Sequence, residues 1–105
     1  MPNLYIIAGC NGAGKTTASY TVLPEILHCK EFVNADEIAK GLSPFQPDKV
    51  SIQAGRIMLQ RIAELINQKE DFAFETTLTT LSYQKYHSIS QGKRIHRYTY
   101  FLLAE

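Results

Sequence analysis

The sequence predicts an α/β domain in which a parallel sheet of about four strands is covered by helices on both faces. Two observations carry this expectation. Short apolar runs alternate with stretches of helical periodicity, and strands separated by helices are joined by right-handed parallel crossovers. The 105 residues, 45% hydrophobic and 20% charged, suffice for one modest core and are too few for two. Residues 1–105 are therefore read as a single domain.

The elements follow in order. Leu4 to Ala8 is nearly all apolar and ends at Gly9, as in a strand buried on both faces. A helix is expected from Gly14 to Leu27, broken near Leu23 because Pro24 lacks the N–H that a helix interior needs. Glu31 to Asn34 is a second, shorter strand. Asp36 to Lys40 reads as a brief helix that stops at Gly41, and Ser43 to Pro47, with two prolines, as a loop. From Val50 to Lys69, the residues Ala54, Ile57, Met58, Ile62, Leu65 and Ile66 recur at three- and four-residue spacing and form one apolar stripe. Phe72 to Glu75 is a third strand, Thr79 to Gln91 a weaker helix closed by Gly92, and Ile95 to Leu103 a fourth strand. A parallel strand of that kind needs cover on both faces, so the domain is expected to be truncated at its C-terminus.

Charge and cysteine usage exclude several classes. Eleven Lys and Arg against ten Asp and Glu leave a net charge of +1, which removes the electrostatic case for a dedicated nucleic-acid or membrane-surface binder. No apolar run approaches the ~18 residues of a membrane span, and the N-terminus lacks the basic and apolar regions of a signal peptide. Cys10 and Cys29 make neither a disulfide framework nor a zinc set, so a cytoplasmic protein with free thiols is expected. His28, His87 and His96 have no ligand spacing and read as surface or packing residues. The basic cluster Lys93-Arg94-Ile95-His96-Arg97 reads as a solvated turn leading into a strand.

The strongest motif is Gly9-Cys10-Asn11-Gly12-Ala13-Gly14-Lys15-Thr16, which fills G-x-x-x-x-G-K-[ST] at every required position. Backbone N–H groups must approach a phosphate chain closely, and Gly9, Gly12 and Gly14 carry no Cβ to prevent it. The helix that follows turns its positive end toward the anion. Lys15 reaches the β- and γ-phosphates, and the Thr16 hydroxyl suits magnesium. The nucleotide-binding set is Gly9, Asn11, Gly12, Ala13, Gly14, Lys15, Thr16 and Thr17, the cofactors ATP or GTP with Mg2+, and the fold P-loop NTPase or kinase-like. Cys10 reads as a small side chain at a variable position.

Ligands of open α/β sheets sit beyond the carboxyl ends of the strands. Asp36 and Glu75 both fall there, and a kinase needs a carboxylate for the acceptor hydroxyl. Asp36 has a second reading, as the cap of the short helix it begins. A carboxylate after the apolar run Phe72 to Phe74 is costly without a purpose, which favours function for Glu75. Thr76 is a substrate contact or the start of a turn, and Thr77 belongs to the turn.

These residues carry a specific resemblance. Gly9 to Thr17 is followed by Asn34-Ala35-Asp36-Glu37-Ile38-Ala39, Gly41-Leu42-Ser43-Pro44, Ala54-Gly55-Arg56 and Phe72-Ala73-Phe74-Glu75-Thr76-Thr77-Leu78. The series resembles the zeta toxin family of P-loop kinases, from about Leu4 to Leu81. The phosphate loop alone fits many ATPases; the later motifs in this order are more family-specific. The resemblance implies transfer of the γ-phosphoryl of ATP to a hydroxyl of UDP-N-acetylglucosamine or a similar small molecule. By it, Lys15 and Thr16 hold ATP and magnesium, Asp36 is the base, and Glu75 with Thr76 binds the UDP-sugar. Many members of that family are toxins held inactive by a small helical antitoxin, while others are chromosomal proteins without an obvious one. The resemblance therefore leaves both an antitoxin partner and its absence open. The family's charge-stabilising arginines belong to a lid beyond the fourth strand, and Arg56, Arg61, Arg94 and Arg97 do not stand in such a segment. An inactive nucleotide-binding module, a partner-binding remnant and a kinase for another small hydroxyl compound are the rival expectations.

Overall fold

The computed structural model describes residues 2–9, 15–76 and 96–103. Four parallel strands form one sheet: β1 (Asn3–Gly9), β2 (Phe32–Val33), β3 (Phe72–Thr76) and β4 (Arg97–Leu103), in the order β2-β3-β1-β4. The α/β architecture expected from the alternation is the one observed. β1 lies between β3 and β4, with Leu4 opposite Phe72 on one side and Tyr98 on the other.

Side chains alternate across a strand, so each strand supplies two layers. Leu4 and Ile6 of β1 join Phe72 and Phe74 of β3 on one face, against Met58, Ile62, Leu65 and Ile66. Those four lie on α3 (Ser51–Asn67), the helix the apolar stripe predicts. α2 (Ala35–Leu42) packs beside it, with Ile38 against the same core. On the other face Ile7 and Ala73 meet Leu23 and Cys29, which follow α1 (Lys15–Thr21). Burial pushes the Cys29 thiol above its usual pKa, which makes it a packing group and a poor nucleophile.

Strand and helix ends shift by one or two residues from the expectation in several places, and three segments differ for a clear local reason. Pro24 does not end the helix at Leu23. The α-helical pattern stops at Thr21 and widens into a π turn, Val22–Ile26, with Leu27 N–H donating to the Val22 carbonyl at 3.0 Å. α2 starts at Ala35, one residue before Asp36, and runs through Gly41 to Leu42. The loop 43–46 leads into a 3-10 turn, Pro47–Val50, before α3. The helix expected over Thr79 to Gln91 lies outside the described residues, as do Thr77, His87 and Lys93 to Ile95.

Among the described residues, no group of three or more His, Cys, Asp or Glu side chains that could hold a metal ion includes a histidine. His28 is exposed with φ 55°, at the end of the π turn. His96 is buried, edge-on to Phe72 with ring centroids 5.3 Å apart. Its Nε2 lies 2.8 Å from the Glu70 carbonyl, which can only accept, so Nε2 carries the proton. Its Nδ1 is buried without a hydrogen-bond partner. Among the described residues no helix is long and apolar enough to cross a membrane.

Candidate functional site

The carboxyl ends of the strands form one edge of the sheet, and of the residues singled out by sequence Gly9, Glu75 and Thr76 lie at it. β1 ends at the buried Gly9, opposite Leu103 of β4. α1 begins at Lys15, so only residues 10–14 join strand to helix. Asn11, Gly12, Ala13 and Gly14 lie outside the described residues. Lys15 and Thr16 open the helix, and Thr17 is exposed on its first turn.

Asn34 organises the neighbouring part of this edge. Directly after β2 it is extended, with φ −139° and ψ 116°, and it caps α2. Its Oδ1 accepts from the N–H of Asp36 at 2.9 Å and from that of Glu37 at 3.4 Å. The cap reading of Asp36 is thereby corrected. Asp36 is the second helical residue, and an asparagine already supplies the oxygen that its first turn requires. The signal was present in the sequence, since Asn34 with Glu37 three residues later is a helix-start pattern.

The same side chain reaches across the sheet. Asn34 Nδ2 donates to Glu75 Oε2 at 2.8 Å. Two backbone donors fix the amide oxygen toward α2, so the NH₂ group necessarily faces the carboxylate. Asn34 is only 6% exposed, and Glu75 is half-buried near the end of β3, opposite Ile7 of β1. Thr76, also buried, is the last residue of β3 and stands opposite Ala8. It is a strand residue, and any turn begins after it. Glu75 and Thr76 thus set one carboxylate and one hydroxyl-bearing residue side by side at the end of β3.

Asp36 is exposed and lines a cleft of about 420 Å3 between α2 and the 3-10 turn, with Lys40, Asp48 and Ser51. Neither Arg61 nor Arg97 lines this cleft. Arg61 of α3 is tied to Glu64 at 3.0 Å and to Glu31, just before β2, at 3.1 Å. Those two hydrogen bonds, Glu64 first, raise its pKa further above its ordinary value. Arg97 is exposed at the start of β4, the opposite end of the sheet.

No protein-family model matches the chain, and no curated protein matches it. Solved structures do. One is the crystal structure of a "putative kinase" from Chloroflexus aurantiacus J-10-fl, with a TM-score of 0.71 and 17% sequence identity over 98% of this chain. The likeness is one of fold. It supports the kinase-like α/β architecture that the phosphate-loop motif predicts. This chain spans 58% of the length of that protein.

Proposed function

We propose that the chain is an ATP-dependent phosphotransferase of the zeta toxin type. It would move the γ-phosphoryl of ATP to a hydroxyl of UDP-N-acetylglucosamine or a similar small molecule. The observation that supports this most is the gathering of Gly9, the start of α1 and the Asn34–Glu75 pair on one edge of the sheet. A phosphate loop is held by such a strand-to-helix step, and an acceptor needs carboxylates beside it.

In this reading the acceptor hydroxyl oxygen bonds to the γ-phosphorus as the bond from that phosphorus to the bridging oxygen of ADP breaks. The hydroxyl proton passes to the Asp36 carboxylate. Lys15 contacts the β- and γ-phosphates, and Glu75 with Thr76 holds the sugar nucleotide. Magnesium, when bound, neutralises charge on the phosphate oxygens, and the Thr16 hydroxyl is the group that would hold it. A helical antitoxin partner belongs to the same resemblance.

Mass spectrometry of UDP-N-acetylglucosamine after incubation with ATP and magnesium tests the reading. A singly phosphorylated product is expected from the wild type and not from Lys15→Ala. Asp36→Asn is expected to leave ATP affinity unchanged and to lower kcat roughly 10²-fold or more, the usual contribution of a positioned base. Product formed equally by Lys15→Ala would overturn the assignment. ATP binding without phosphorylation of any hydroxyl compound would favour a nucleotide-binding module.

A further inference from the structure

We infer that Asn34 is a positioning residue that sets the acceptor-side carboxylate, Glu75, and the base-bearing end of α2 as one rigid unit. The inference rests on the proposed phosphotransferase reading. Its basis is that a single buried amide does two unrelated things at once. The oxygen caps α2 through the N–H groups of Asp36 and Glu37, and the nitrogen holds Glu75, on the neighbouring strand β3, at 2.8 Å. Asn34 is 6% exposed, so water replaces neither interaction cheaply.

The two halves of the amide have different chemical requirements. Capping needs only an acceptor, and Ser, Asp and Asn serve about equally well. Holding Glu75 as a carboxylate at the same time needs a donor, which ionised Asp lacks and which the serine hydroxyl, a shorter group whose single oxygen is already turned to the helix, cannot carry as far as Glu75. Asn is therefore the residue that satisfies both demands at this position. The bond to Glu75 is charge-assisted and restricts its rotamers, so its loss lets the carboxylate leave the orientation in which it would meet the acceptor. Asn34 itself need touch neither ATP nor acceptor.

Substitutions separate the two roles. Asn34→Ser keeps the cap and removes the amide NH₂ group that reaches Glu75. It is expected to melt near the wild-type temperature, to leave the KM for ATP unchanged, and to raise the KM for UDP-N-acetylglucosamine roughly tenfold, the scale of one charge-assisted hydrogen bond. Asn34→Asp keeps the cap and sets a carboxylate against Glu75, so its melting temperature falls at neutral pH. Adding Glu75→Gln to Asn34→Asp exchanges donor and acceptor. The double variant should recover the melting temperature but not the acceptor KM, because the charge has left position 75.

Each outcome decides something. An active Asn34→Ser variant with wild-type KM and kcat for the acceptor would sink the positioning role. Equal melting temperatures for Asn34→Asp and the double variant would mean that residues 34 and 75 are not coupled, which overturns the inference at its root. A wild type that phosphorylates no hydroxyl compound sinks the phosphotransferase reading, and the acceptor role of Asn34 falls with it. The melting temperatures are read independently of activity, so the two failures are distinguishable.

Discussion

Lys69 closes α3 with φ 57°, a left-handed conformation that a residue with a Cβ adopts at a cost. The geometry around it is a complete Schellman motif. The N–H of Glu70 donates to the Leu65 carbonyl and that of Lys69 to the Ile66 carbonyl, both at 3.1 Å. Lys69→Gly should therefore stabilise the protein by about 0.5–1 kcal/mol, read as a higher midpoint in urea. The sequence offered no glycine there to announce the stop, and the periodic stripe ending at Ile66 located it instead. Asp36 gives the converse lesson. Its type and place suit a cap as well as a base, and the hydrogen bonds of Asn34 remove the cap reading alone. The Asn34–Glu75 bond was beyond reading, because it joins residues 41 apart through side chains that no periodicity links.

At the scale of elements, helices with strong apolar patterns were legible, and those governed by backbone detail were less so. α3 follows its stripe closely, whereas Gly41 lies inside α2 where a stop was expected. A glycine marks a helix end only when the chain needs a left-handed residue there, and Gly41 shows no positive φ. Gly55 sits in the interior of α3 in the same way, with open space where a Cβ would stand. Gly55→Ala is expected to raise stability by about 0.5–1 kcal/mol, since glycine loses the most backbone freedom on entering a helix. A thermal melt showing a lower midpoint would mean that the position is crowded in solution. Pro24 was read correctly as an obstacle, but the chain absorbs it by a wider turn rather than by stopping.

Across the whole molecule, the topology decides how stiff the candidate site is. β1 is paired along its length on both sides, while β2 contributes two residues and pairs with β3 alone among the described strands. Amide hydrogen exchange should follow this difference. Ile6 and Ile7 should exchange only through global unfolding, and Phe32 through cheaper local opening, with comparable rates at both counting against it. The sheet and its two covered faces could be anticipated from alternating apolar runs, but which strand neighbours which could not be read from them. The pairings join residue 32 to 73, 4 to 72 and 3 to 97, so no strand meets a partner close to it in the chain. Closing such long loops is entropically unfavourable until several contacts form together. The edge that carries the candidate site thus has no early, locally built precursor. It comes into being in the same step as the sheet itself, and a chain arrested before that step carries every residue of the phosphate-loop motif without the strand end and helix start that flank it.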